Sequence, residues 1–429
     1  MDSSSPEDAA PSPYPRNAPS LHTRAIHVGF EPRGNETRAL VPPLTLATTF
    51  AQADPQHKGE YFYGRLDNPS RAALERSLAA LEEAEYAVTF ASGTAAISSV
   101  MQLLRAGDHV LVSHHLYSGT WTFLTKIAAR QGLVVEFIDM RQASEVAAAL
   151  KPSTRIVWFE SPSNPTMDLV DIAAVATIVQ QHNQRVGLEH LSLEQPIADK
   201  RNELDVEARA ILVVDNTFMT GVLQRPLLLG ADLVVHSCTK YINGSTDVIM
   251  GVVCTSSKNL HEKLKFIQTA SGAIPSPFDC YLVQRSVRTL PLRMERHMKN
   301  GIAVAKFLES HACVRRVNHP GLPSHPQHKL SVRQSFGHSG MLSFYLREDD
   351  IEKSKTFLKS LAVVTLSSSL GSIESLAELP VTMSHAGVPA EEREASGVTA
   401  GLIRLSVGLE DVHDLTRDLD QALNKAFGN

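Results

Sequence analysis

Residues 232–244, DLVVHSCTKYING, carry a lysine, Lys240, to the end of an apolar strand and set the hydroxyls of Ser237 and Thr239 beside it. A lysine is rarely buried without a partner, so one delivered by an apolar run is a candidate for chemistry rather than for surface. Residues 211–217, ILVVDNT, repeat the pattern with an acid, Asp215, twenty-five positions earlier. Both runs have the length and the Val/Ile/Leu content of strands covered on both faces.

Outward from this pair, helical and strand patterns alternate. RAALERSLAALEE (71–83) has helical spacing and is followed by the strand YAVTF, a Ser-Gly-Thr turn, and the helix AAISSVMQLLR that stops at Gly107. The strand HVLVS, a helix around 122–130, strand 134–138, a helix near 143–150, the strand IVWFE, a helix near 172–180, and the two strands already quoted complete the series. The pattern predicts an α/β fold: a mostly parallel central sheet with helices on both faces. Ligands of such sheets collect at the carboxyl ends of the strands. Ser92-Gly93-Thr94, Tyr117, Asn164, Asp215 and Lys240 all fall at such ends.

The connection of about thirty residues before Ile211 is long for such a joint; its charged part, 185–208, reads as an insertion entering from the side of the sheet away from the site. Residues 71–292 are expected to form the cofactor-binding domain and 293–429 a smaller α+β domain, with 21–70 an arm reaching a neighbouring subunit. Residues 1–20 read as a disordered tail rich in Ser, Pro and Ala. A net charge of −5 with 20% charged residues offers no basic stripe for nucleic acid, and no apolar stretch is long enough to span a bilayer. The four cysteines have no CxxC spacing, which fits a reducing, cytoplasmic compartment. His319, His325 and His328 match no metal-site spacing, so no metal is expected.

The chemistry follows from residue types. A helix beginning at Gly93-Thr94 offers free N–H groups to a phosphate, with Ser237 and Thr239 adding donors. A desolvated Lys240 has a lowered pKa and a free amine for Schiff-base chemistry. Asp215 can pair with a protonated ring nitrogen, keeping that ring an electron sink. Together these groups point to pyridoxal 5'-phosphate. Tyr117 can stack on the ring, Tyr63 and Arg65 in EYFYGRLDNPSR can add a contact across an interface, and Arg404 in GLIRLSVGLED can bind a carboxylate with two hydrogen bonds. SSSLGSIESLAELP can line a pocket.

The motifs YGRLDNPSR, FASGTAA, VVDNTF, TKYINGSTDVIMG, GAIPSPFDCYL, NHPGLPSHPQH, ESLAELP and LIRLSVGLEDVHDL resemble those of the pyridoxal-phosphate-dependent enzymes of cysteine and methionine metabolism, and within that family those of the cystathionine γ-lyases. The resemblance runs from about 23 to 427, leaving out the insertion. It implies fold type I, the aspartate-aminotransferase-like architecture, and a homotetramer built from two dimers. It further implies that Lys240 binds the cofactor covalently, Asp215 pairs with its ring nitrogen and Tyr117 stacks over it. Gly93, Thr94, Ser237 and Thr239 would hold the phosphate with Tyr63 and Arg65 of an adjoining subunit. Arg404, Asn164 and Ser369 would take the substrate carboxylate.

The activity implied is α,γ-elimination of L-cystathionine to L-cysteine, 2-oxobutanoate and ammonia, with hydrogen sulfide release from cysteine or homocysteine as a side reaction. Two positions depart from the γ-lyase pattern: Ser368 stands where a glutamate is usual, and Thr122 where an arginine is usual. Both flank the distal end of the substrate. Losing both charges leaves neither orphaned and keeps methionine γ-lyase and cystathionine β-lyase as alternatives, with a non-catalytic cofactor-binding scaffold behind them.

Overall fold

The structure, a computed structural model, describes residues 19–34, 38–56, 59–191 and 209–428. The tail assigned to 1–20 falls almost wholly outside them, as do residues 192–208 of the expected insertion. Seven strands form the larger sheet: β1 (Tyr86–Phe90), β2 (His109–Ser113), β3 (Val134–Ile138), β4 (Thr154–Glu160), β5 (Ile211–Asp215), β6 (Leu233–Ser237) and β7 (Gly251–Thr255). Their order is β1-β7-β6-β5-β4-β2-β3. Strands β2 to β6 pair in parallel, whereas β7 runs antiparallel to both β6 and β1.

Strand β7 is absent from the sequence reading. GVVCT opens on a glycine and follows the apolar Val248-Ile249-Met250, so the pattern does not mark where a strand begins. Two helices also differ from expectation. The one placed around 122–130 begins at Ser118 and ends at Lys126, before a 3₁₀ turn at Ala128–Gln131. The one placed near 172–180 runs from Ile172 to Leu191, because HNQRVGLEHL contains no proline and its glycine alone does not break the pattern.

The strands at the centre are apolar on both faces. In β4, Val157 and Phe159 enter one core with Leu212 and Val214 of β5, while Ile156 and Trp158 enter the other with Ile211 and Val213. Trp158 is fully buried. Helix Pro69–Leu81 packs on the first face, capped by Asn68, whose side chain accepts from the N–H groups of Ser70 and Arg71. Helix Gly93–Met101 packs on the second, with Ser92 as its cap.

The second sheet has five strands in the order β10-β11-β12-β9-β8: β8 (Val314–Asn318), β9 (Met341–Leu346), β10 (Thr365–Leu366), β11 (Leu376–Glu378) and β12 (Leu402–Ser406). Helices Leu290–Ser310, Ile351–Ser360 and Val412–Phe427 bury their apolar faces against it, with Leu308, Phe357 and Leu419 in the core. Among the described residues no helix is long and apolar enough to cross a membrane.

His297 lies where helix Leu290–Ser310 meets the larger domain. Its ring stands edge-on to Tyr241 at 4.8 Å, and its Nδ1 donates to the Val407 carbonyl at 2.8 Å. Burial is the main cause that pushes this imidazole from its ordinary 6.5 down to about 4. The unfolded chain therefore binds a proton that the folded chain refuses. Stability from this group is present above pH 6.5 and is lost as pH falls toward about 4, on the order of 3 kcal/mol in full. Denaturant midpoints at pH 7 and 5 should differ more for the wild-type chain than for His297→Gln.

Candidate active site

The carboxyl ends of the central strands and the inner edge of the smaller sheet enclose a cavity of about 390 Å³. At one end, helix Gly93–Met101 points its amino terminus inward. Ser92 Oγ caps the Ala95 N–H at 3.0 Å, which leaves the Gly93 and Thr94 amides without an intrahelical partner. A Cβ on Gly93 would lie 3.1 Å from the Cβ of Ser237, so a side chain there would press on the β6 turn. Thr94, Ser237 and Thr239 add hydroxyl groups to the same cavity.

Lys240 sits in the middle of the cavity on the turn after β6. Its Nζ donates to Ser369 Oγ at 2.6 Å. Burial, reinforced by the nearby Arg404 and opposed by Glu378, lowers its pKa from 10.5 to about 8. Ser369 has φ +81°, a strained conformation for a serine, and its carbonyl accepts from Arg404 Nη2 at 2.6 Å. The other arm of Arg404, Nη1, is 3.0 Å from both Asn164 Oδ1 and Glu378 Oε1. Burial pulls the guanidinium pKa down and Glu378 resists the shift.

Two carboxylates lie on the opposite wall. Asp215 and Glu160 end adjacent parallel strands and are direct register partners. Burial raises both, and Asp215 raises Glu160 further. The Thr217 N–H donates to Asp215 Oδ1 at 2.9 Å, and the Tyr117 N–H to Glu160 Oε1 at 2.7 Å. Two buried acids this close do not both ionise readily. Glu160, which also feels the charge of Asp215, is held toward its protonated form.

Gly93, Thr94, Tyr117, Asn164, Asp215, Ser237, Thr239, Lys240, Ser368, Ser369 and Arg404 thus line one cavity. Three other candidates do not. Thr122 is exposed on helix Ser118–Lys126. Tyr63 is 40% exposed, and Arg65 lies over its ring while donating to the Thr269 carbonyl at 2.9 Å. Two buried acids were missed from sequence. Glu160 ends IVWFE as Asp215 ends ILVVD, a signal present but unused; Glu378 lies within ESLAELP, where nothing local distinguishes it from a surface acid.

The sequence profile of the Cys/Met metabolism PLP-dependent enzymes matches residues 22–189 and 198–424. The chain belongs to this family. It is 47% identical to cystathionine γ-lyase of Sus scrofa over 94% of this chain and 93% of that protein. Among solved structures, cystathionine γ-lyase of Lactobacillus plantarum, complexed with L-serine, superposes with a TM-score of 0.86 at 35% identity, over 95% of this chain and 99% of that one. The metB protein of Corynebacterium glutamicum gives the same TM-score at 37% identity, over 96% of this chain and 99% of that one. The mixed sheet and smaller second domain are fold type I of this family, and the cofactor is pyridoxal 5'-phosphate.

The donor set fits that cofactor. Free amides and hydroxyls occupy the end where a dianion would lie, a desolvated amine the middle, and a carboxylate the wall beyond it. Because the neutral amine is the reactive form, uptake of pyridoxal phosphate by the cofactor-free protein should quicken as pH rises and level off above about 8; visible absorbance follows it. Glu160→Gln, which mimics the protonated acid and still accepts from Tyr117, should leave cofactor affinity within about threefold. Glu160→Ala forfeits that hydrogen bond and should weaken it about tenfold. Fluorescence titration separates the two.

Proposed function

We propose that this protein is a cystathionine γ-lyase, a trans-sulfuration enzyme that converts L-cystathionine and water to L-cysteine, 2-oxobutanoate and ammonia. The observation that carries the reading is a buried Arg404 and a desolvated Lys240 facing one cavity in a chain nearly half identical to such lyases. Bound pyridoxal phosphate supplies an electron sink for the substrate's α-carbon.

The chain's residues do the rest. Gly93, Thr94, Ser237 and Thr239 would hold the phosphate. Asp215 would pair with the ring nitrogen, and Tyr117 would pack against the ring. Arg404 grips the substrate α-carboxylate through its planar fork, held in place by Glu378 and Asn164. Lys240 would hold the cofactor's aldehyde carbon, and its Nζ, free once substrate is bound, would take the α-proton and return it further along the substrate. Tyr117 or Lys240 handles the proton of the departing thiol.

Tyr63 and Arg65 stand off this chain's own cavity on an exposed arm, which supports their serving a neighbour's phosphate site within a homotetramer built from two dimers. Four free cysteines fit a cytoplasmic enzyme. Hydrogen sulfide release from cysteine or homocysteine is a compatible side reaction. The distal wall favours a second reading. Ser368 puts no charge there, and Thr122 adds none, which suits an uncharged thioether such as methionine.

Separate incubations with L-cystathionine, L-methionine and L-cysteine decide between these. Fastest formation of 2-oxobutanoate from cystathionine is the expected result. Faster turnover of methionine establishes the second reading, pyruvate from cystathionine marks a β-lyase, and no keto acid from any substrate leaves a scaffold. Lys240→Ala should lose turnover by about 10⁴-fold. Arg404→Lys, which keeps the charge but not the fork, should raise KM about a hundredfold with a smaller fall in kcat.

A further inference from the structure

Behind the wall made by Asn164 and Pro165 lies a second cavity, of about 230 Å³, which the chemistry above does not use. Its apolar walls are Leu116, Trp121, Phe137 and Val388. Trp121 comes from helix Ser118–Lys126 and Phe137 from β3, where His114 stacks on it at 6.2 Å. Its roof includes Glu392 and Ala395 of the short helix Ala390–Ala395, which has no buried residue.

The charges around this cavity are unequal. Arg141 is matched by Asp139 at 2.6 Å and by Asp168 at 3.5 Å. His115 lies 3.6 Å from Asp168, and burial keeps both His115 and His385 below the ordinary imidazole range, hence neutral near pH 7. Glu392 faces the space with no ion pair among the described residues. An aromatic wall with an uncompensated carboxylate at its rim attracts a cation. Trp121 already draws one: Lys126 Nζ lies 5.8 Å from its ring centre, outside the cavity.

The side cavity touches the catalytic one in two places. Asn164 lines both, and its Oδ1 accepts from Arg404. His385 lines the side cavity with Nδ1 2.9 Å from Ser384 Oγ, which donates to Glu378, the ion-pair partner of Arg404. We propose that this cavity binds a small organic cation, an ammonium with an apolar body held between Trp121, Phe137 and Glu392, and that its occupancy is transmitted to Arg404 through Asn164 and Ser384.

Choline is a suitable probe, because its quaternary nitrogen cannot condense with the cofactor. Its neutral isostere, 3,3-dimethylbutan-1-ol, is the control. The chain has two tryptophans, and Trp158 is fully buried and does not line this cavity, so a change in emission on binding, absent in Trp121→Phe, reports on Trp121. Choline should quench it saturably and bind about tenfold more tightly than the alcohol. Glu392→Gln, at an exposed position, should erase that difference. Choline should also raise KM for cystathionine more than it lowers kcat, and Glu392→Gln should abolish this effect. Equal binding of the two probes overturns the site. Binding that leaves KM unchanged overturns the link to Arg404. Competition with substrate that survives in Glu392→Gln places the cation in the catalytic cavity instead. The binding arm needs no substrate, so it stands or falls apart from the lyase reading.

Discussion

The ion pair between Arg404 and Glu378 is the contact on which the rest of the site depends. Both side chains are almost wholly buried, and both come from the smaller sheet, from β12 and β11. A buried guanidinium is costly unless its donors are met. Here they are met by a carboxylate beside it, by the Ser369 carbonyl, and by Asn164 from the larger domain. The cation therefore stitches the two domains together at the mouth of the cavity, and the strain in Ser369 is sustained by the same network. Removing either charge leaves the other buried and unpaired.

On the far wall the logic is reversed, with like charges set side by side. Glu160 and Asp215 occupy equivalent ends of neighbouring parallel strands, so the sheet itself imposes their closeness. Each accepts a backbone N–H, Glu160 from Tyr117 and Asp215 from Thr217. Burial holds both toward the neutral form, and Asp215 adds to the effect on Glu160. Lys240 lies between this wall and Arg404, with burial and the cation both acting to strip its proton.

Much of this was legible in the sequence, for a physical reason. A strand buried on both faces leaves its last residue and the turn that follows to contact a ligand, so Asp215 stood out at the end of an apolar run, and Lys240, Asn164 and Tyr117 in the turns just beyond such runs. Glu160 satisfies the same rule and escaped notice because its strand was read for its apolar body. Glu378 had no such signal: β11 has three residues, and its burial arises from contacts with β12 that are distant in sequence. The same holds for β8 and β10, whose short polar strands are made by their neighbours rather than by their own pattern. Thr122, placed by resemblance at the distal end, faces solvent in this chain.

The one reversed strand of the larger sheet is the floor over which the two binding turns meet. Gly251, at the start of β7, is the register partner of Phe90 on one side and of Ser237 on the other. Phe90 leads into the turn that begins helix Gly93–Met101, and Ser237 into the turn that bears Lys240. Phe90 and Ser237 are therefore held two strand spacings apart, about 9 to 10 Å, and the turn after Phe90 closes that gap by folding over Gly251 until Gly93 meets Ser237. A Cβ at position 251 would lie 2.3 Å from the Ser92 carbonyl, so the fold brings the two turns together across a strand that must be bare of a side chain at that point.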